Sequence, residues 1–240
     1  MKLLIAVPAY NRKAITGLCL ENLEKYKGEA ELWVYNDWST EYGCEWLAQW
    51  ADKVIQLPAS SLRVVKNEKN VKGMGVQHLR WHQFREFLDL DQFDYLYMTD
   101  ADTLHDPGFV QQLESCASTP GTLYSSKTYP KEISTRWGTR DSAGGVSHLY
   151  SKQDCERVVA RLAQAGRDPE YGWDYESVRY LGRGVRYTQT SYLEHFGAGG
   201  LHSGPGRWDH DRAKNPTEYL RRLRPKVINY LEGVGPRPEV

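Results

Sequence analysis

After Lys2 the chain opens with an unbroken apolar run, Leu3-Leu-Ile-Ala-Val7, which stops at Pro8 and gives way to the polar stretch Tyr10-Asn-Arg-Lys13. A strand with one wet face alternates apolar and polar residues. A run without alternation belongs to a strand covered on both faces, as in a parallel sheet with helices above and below. The following segments repeat the theme. Apolar residues at Ile15, Leu18, Cys19 and Leu23 predict an amphipathic helix over residues 14–26. Strands are expected at Glu31–Tyr35, Lys53–Leu57 and Phe93–Met98, with helices at Tyr42–Ala51 and Gly75–Leu88 between them. Strand and helix alternate through about the first 115 residues, which argues for a doubly wound α/β sheet whose ligands gather at the carboxyl ends of its strands.

The second half is less regular. Short strands are expected at Gly121–Ser125 and Gly145–Tyr150, then helices at Gln153–Gly166 and Asp174–Leu181 and a strand at Val185–Leu193. A Gly-rich loop from His195 to Trp208, a helix at Pro216–Leu231 and a Pro/Gly tail complete the chain. No repeat, low-complexity segment or linker-like shift divides it, so residues 1–240 are read as a single domain.

Composition narrows the class. Charged residues make up 26% and hydrophobic ones 40%, values of an ordinary globular protein, which sets disordered and fibrous classes aside. Lys plus Arg and Asp plus Glu both total 31, so no net field draws the molecule to nucleic acid or anionic lipid. No apolar run approaches the roughly 20 residues that span a bilayer, and the opening run is too short for a secretory signal, so the expected setting is cytoplasmic. Cys19, Cys44, Cys116 and Cys155 fit neither a C-x-x-C metal pair nor a compact disulfide framework, and are read as reduced thiols.

The chemistry concentrates at Asp100-Ala101-Asp102, directly after an apolar strand, where a buried carboxylate is costly without a partner. A divalent cation is a natural one. Mg²⁺ and Mn²⁺ take oxygen ligands and commonly bridge one or two carboxylates to substrate phosphates. An Asp-x-Asp also arises in caps and turns.

Taken with other segments, the pair resembles the family 2 glycosyltransferases and their GT-A relatives. The resemblance rests on Val7-Pro-Ala-Tyr-Asn-Arg12, Tyr35-Asn-Asp-Trp-Ser-Thr40, Asn70-Val-Lys-Gly-Met-Gly75, Thr99-Asp-Ala-Asp102, Gly172-Trp-Asp-Tyr-Glu176 and His195, in the family's order, and is looser after residue 120. It implies a GT-A fold: a Rossmann-like, mixed but mainly parallel sheet flanked by helices. Residues 1–115 would form a nucleotide-sugar-binding half and 116–235 an acceptor-binding and catalytic half. It further implies a metal-dependent transfer of a sugar, with inversion, from a nucleoside-diphosphate sugar, UDP being the expected nucleotide, to an acceptor hydroxyl.

Residue by residue, the resemblance places Pro8, Ala9, Tyr10 and Asn11 around the nucleotide, with Tyr10 stacking on the base. Asp37 takes the position that accepts a proton from a pyrimidine ring nitrogen, or else is a turn Asp satisfying nearby amides; Asn36 stands where the family often has a second acid. Gly73 and Gly75 could admit close backbone approach to the donor. Arg80 could meet a phosphate or a ribose-side carboxylate, or lie solvated on its helix. Asp100 and Ala101 join the donor site, and Asp100 and Asp102 hold Mn²⁺ or Mg²⁺. His195 or His202 completes the metal shell, with Arg207 and Trp208 in a loop that closes over donor. Asp174 is the candidate base, although Trp173 stands where an acid is usual, so Glu176 is the alternative; Asp174 as a helix cap is the plain structural reading.

A nucleotidyltransferase would share the sheet and the metal, but opens with a Gly-rich loop, and Pro8-Ala-Tyr-Asn11 contains no Gly. A non-catalytic nucleotide- or glycan-binding module of the same fold is the other alternative, disfavoured by the retained acids. The acceptor is left open between a glycan, a small molecule and a hydroxylated DNA base. The basic run Arg221-Arg-Leu-Arg-Pro-Lys226 offers a foothold for nucleic acid or a lipid phosphate, and otherwise reads as a solvated helix face.

Overall fold

A computed structural model describes residues 1–58, 75–117, 123–125, 147–166, 173–181, 185–187 and 193–195. Gly73, His202, the 207–208 pair, the basic run 221–226 and the expected helix over 216–231 lie outside the described residues.

The apolar run becomes β1 (Leu3–Ala9), an interior strand of a seven-stranded sheet, third in its order. In chain order it is followed by α1 (Lys13–Tyr26), β2 (Glu31–Asn36), α2 (Cys44–Leu47), β3 (Lys53–Gln56), α3 (Gly75–Leu90) and β4 (Tyr95–Thr99). Next come β5 (Thr103–His105), α4 (Phe109–Ala117), β6 (Leu123–Ser125), β7 (Ser147–Ser151), α5 (Lys152–Ala165), α6 (Trp173–Leu181), β8 (Val185–Tyr187) and β9 (Leu193–His195). The large sheet runs β3-β2-β1-β4-β7-β6-β8, and β5 pairs with β9 in a separate antiparallel ribbon. Only β7 runs against the rest: β1, β2, β3 and β4 are mutually parallel, and β6 pairs antiparallel to β7 but parallel to β8.

The absence of alternation in β1 has the expected cause. Leu4 and Ala6, with Leu96 and Met98 of β4, face a core built with Trp81, Phe84 and Phe87 of α3, Cys155, Val158 and Leu162 of α5, and Trp173 of α6. Leu3, Ile5 and Val7 face the opposite core, with Cys19, Leu20 and Leu23 of α1 and Phe109 and Leu113 of α4. Side chains alternate across the strand, and both faces are dry.

Several expectations need correction. The helix expected over Tyr42–Ala51 is only Cys44–Leu47. The single strand expected over Val185–Leu193 is two, β8 in the large sheet and β9 in the small one. Short β5 and helix α4 were not anticipated. The α5 helix has a capping box: the Ser151 hydroxyl accepts from the Asp154 amide and the Asp154 carboxylate from the Ser151 amide. It ends at Gly166 in the left-handed region, φ 73°. Among the described residues no helix is long and apolar enough to cross a membrane, and Cys19, Cys44, Cys116 and Cys155 are free thiols.

Phe84 is fully buried between Trp81, 5.7 Å away and stacked, and Tyr150, 4.8 Å away edge-on. Truncating it removes the contact that ties α3 to β7. Phe84→Ala is expected to lose about 3–5 kcal/mol of unfolding free energy, measured by urea denaturation.

Candidate functional site

In an open α/β sheet, ligands bind outside the carboxyl ends of the strands, where the strand order reverses. Here the reversal lies between β1, which leads through α1 toward β2, and β4, which arrives through α3 on the other face. The β1–β4 ladder ends at Ala6, paired with Met98, while β1 continues beside β2 through Pro8 and Ala9. Pro8 has no amide hydrogen to extend a ladder on the β4 side. The two strands therefore part, and the chain leaves β1 at Tyr10–Arg12 and β4 at Asp100–Asp102, flanking one crevice.

Arg80 fills the base of this parting. Its guanidinium is fully buried. One amino group, Nη1, donates to the Ala6 carbonyl at 3.4 Å and to Gln83 Oε1 at 3.0 Å; the other, Nη2, donates to the Thr99 carbonyl at 2.8 Å and to Asp100 Oδ1 at 2.5 Å. The guanidinium also lies over the Trp173 ring, 5.0 Å from its centroid. Burial pulls Arg80 down from its ordinary pKa, and the Asp100 carboxylate opposes that shift. The solvated-helix reading is thus overturned: Arg80 lies beneath Asp100.

Asp102 has a different partner. Its Oδ2 accepts from Arg12 Nη1 at 2.9 Å. Arg12 is the N-cap of α1 and adopts left-handed φ 59°, ψ 45°, next to Asn11 at φ 49°. Consecutive left-handed residues other than glycine are strained and need compensation. Asn11 supplies it: its Oδ1 accepts from the Ser39 hydroxyl at 3.1 Å and from the Thr40 amide and hydroxyl at 2.8 and 3.1 Å. Its carbonyl accepts from Tyr42 Oη at 2.9 Å. Asn11, expected at the nucleotide, latches the β1 and β2 turns together and thereby aims Arg12.

The Asp100–Asp102 turn is fixed from below. The Thr103 hydroxyl donates to the Asp100 carbonyl at 2.8 Å, and the Cys19 thiol donates to the same oxygen at 3.4 Å. Burial pushes that thiol up to about 12, so Cys19 is no nucleophile. A buried network that sequence reasoning missed anchors the next residues. Tyr97 Oη meets His105 Nε2 at 2.9 Å and Ser147 Oγ at 3.0 Å, and Asn22 of α1 bonds both backbone groups of His105. Its signal was weak: isolated polar residues within apolar segments.

Of the other expected residues, Asp37 is nearly buried and its Oδ2 accepts from the Gly75 amide at 3.0 Å. That is the amide-satisfying role, at the start of α3, where the helix dipole favours a carboxylate. Gly75 holds φ 74°, a conformation that suits glycine. Pro8 and Tyr10 are half-buried and Ala9 is buried. Ala101 packs partly on the α1-side core. In the β5–β9 ribbon His195 stands opposite Thr103, so its backbone lies one residue from Asp102 along the register. Trp173, found where an acid was expected, is buried between Arg80 and His148, whose ring centroid is 5.1 Å away. Asp174 follows it within the first turn of α6 rather than capping it, and Glu176 pairs with exposed Arg179 at 3.4 Å. Behind α6, buried Tyr150 Oη bridges His148 Nδ1 at 2.7 Å and Ser177 Oγ at 2.9 Å.

At the level of sequence, no protein-family profile and no curated protein matches the chain. Solved structures match in shape. TarS 1–349 from S. aureus superposes with a TM-score of 0.56 at 15% identity, over 81% of this chain and 60% of that one. The mannosyltransferase PcManGT from Pyrobaculum calidifontis, solved in complex with GDP-Man and Mn²⁺, gives 0.54 at 15% identity, over 79% and 55%. The fold is GT-A. The chain thus spans little more than half the length of these GT-A structures, and at such identity the likeness extends to the fold alone.

The carboxylates fit a small divalent cation chemically: they are two hard oxygen donors on one turn, with side chains 29% and 11% exposed. Among the described residues no group of three His, Cys, Asp or Glu side chains forms a cage, and Mn²⁺ or Mg²⁺ often keep waters and phosphates in place of one. Burial separates the two guanidinium groups, Arg80 with no exposure and Arg12 at 26%, although Asp100 at 29% is more exposed than Asp102 at 11%. Asp100→Asn leaves a fully buried guanidinium without its anion and is expected to cost about 2–4 kcal/mol. Asp102→Asn leaves an Arg12 that is 26% exposed and can be hydrated, so about 1 kcal/mol or less is expected. Urea denaturation of both variants measures the difference, and equal losses would contradict the distinction.

Proposed function

We propose that the chain is a divalent-metal-dependent glycosyltransferase that moves a sugar from a nucleoside-diphosphate sugar to an acceptor hydroxyl with inversion. The observation that carries the reading is the carboxylate pair at the strand-order reversal of a GT-A sheet, Asp100 paired with Arg80 and Asp102 with Arg12. The mannosyltransferase that shares this fold was solved with GDP-Man and Mn²⁺, which supports a nucleotide-sugar donor and brings GDP beside UDP as the nucleotide to test.

In this reading Pro8, Ala9 and Tyr10 line the nucleotide site, with Asp37 at its floor. Asp100 and Asp102 would hold Mn²⁺ or Mg²⁺, with His195 or His202 as a further ligand. The ion supplies charge neutralisation on the departing diphosphate. Asp174 takes the proton from the acceptor hydroxyl as the anomeric bond breaks. Glu176, paired with Arg179, orients the acceptor. Trp173, the neighbour of Asp174, packs on the Arg80 that pairs with Asp100, which supports a reading in which donor-side acid and acceptor-side base are held together. Residues 1–115 would carry the donor and 116–235 the acceptor.

The test is a thermal-unfolding screen of UDP- and GDP-sugars with Mn²⁺, followed by product analysis. A donor is expected to raise the midpoint with Mn²⁺ but not with EDTA. Turnover should release a nucleoside diphosphate and fall by about 100-fold or more in Asp102→Asn. Pyrophosphate released from a nucleoside triphosphate would establish a nucleotidyltransferase instead.

A further inference from the structure

Asp100 and Asp102 differ in how their charges are balanced. Arg80 is sealed under Asp100 and bound at four acceptors, including two strand carbonyls, so it cannot leave without opening the sheet. Arg12 Nη1 meets Asp102 Oδ2 at 2.9 Å; the Arg12 side chain is 26% exposed, where Arg80 has no exposure, and the Asp102 side chain 11%. It stems from a strained turn whose position is fixed by the Asn11 latch rather than by the ion pair itself. The turn therefore stays in place whether or not Arg12 holds Asp102.

We propose that Arg12 is an exchangeable counter-ion of the metal site: it neutralises Asp102 until a divalent cation arrives, yields the carboxylate to that cation, and turns its guanidinium onto the donor diphosphate. The inference rests on the metal-dependent reading above. Charge supports it. Arg80 stands against Asp100 and Arg12 against Asp102, so a divalent cation added alone meets an adjacent positive charge. A cation that arrives with a diphosphate brings the anion that the displaced Arg12 can take, in the geometry guanidinium favours for phosphate. Arg12 thus disfavours metal without donor and favours the two together.

Opposite signs in two binding measurements test this, using Mn²⁺ alone and then UDP or GDP with saturating Mn²⁺ on the full chain. In Arg12→Gln, Mn²⁺ followed by electron paramagnetic resonance should bind about three- to fivefold more tightly, the scale of a partly exposed ion pair lost. Nucleoside diphosphate measured by calorimetry should bind about tenfold more weakly, the scale of a charged hydrogen bond lost. Arg12→Gly, which suits the left-handed φ of 59°, must give the same two shifts and remains available should the glutamine variant fail to fold. Arg12→Lys, keeping the charge, should bind Mn²⁺ as the parent does. Unchanged or weaker Mn²⁺ binding in the neutral variants, or unchanged nucleotide binding, overturns the role of Arg12 while leaving the metal site standing. A parent protein that binds neither Mn²⁺ nor nucleotide removes the metal-site reading, and this inference with it.

Discussion

The Arg80–Asp100 ion pair is the constraint on which the rest of the site depends. A parallel sheet that binds ligand at a reversal of strand order must let two neighbouring strands separate, which leaves backbone carbonyls without ladder partners. In this chain the Arg80 guanidinium takes two of them, Ala6 and Thr99, and closes the core beneath the crevice. A buried guanidinium needs an anion, and Asp100 provides it from the first position after β4. The carboxylate is thereby fixed in direction before any ligand arrives. Trp173 covers the other face of the cation, so α6, with Asp174 and Glu176, is referenced to the same point.

Much of the fold could be read from residue pattern because it follows from two-sided burial. The unbroken run of β1, the polar residues at strand ends and the helical spacing in α1 and α3 all report which faces are dry. The position of Asp100–Asp102 at a strand end was likewise visible. Short β5, three residues long, was hidden because Thr-Leu-His carries no period. The helix α4 was missed although Asp106-Pro-Gly108 ahead of it is a start signal. The break between β8 and β9 depends on which sheet each strand joins, a tertiary matter that local pattern does not encode.

Arg80 is the instructive case. By residue type it belongs on the surface, and it was assigned there or at a phosphate. Yet Arg80, Gln83, Phe84 and Phe87 follow helical spacing on one face of α3, and all are buried. The spacing of its neighbours was the better guide. Asn11 shows the converse. Beside the nucleotide position that the resemblance implies for it, its hydrogen bonds to Ser39, Thr40 and Tyr42 hold a strained turn, a role no local pattern showed. Trp173, a departure from the acid expected there, is accounted for by the cation it covers.

The central claim is that Asp100 and Asp102 form the place where a divalent cation meets a nucleoside diphosphate. Anomalous diffraction at the manganese edge, from crystals soaked with Mn²⁺ and UDP or GDP, addresses it most directly. The account predicts one strong peak against the Asp102 carboxylate, adjoining phosphate density in the crevice between the ends of β1 and β4. A peak elsewhere on the molecule, or a nucleotide bound away from that crevice, would contradict it.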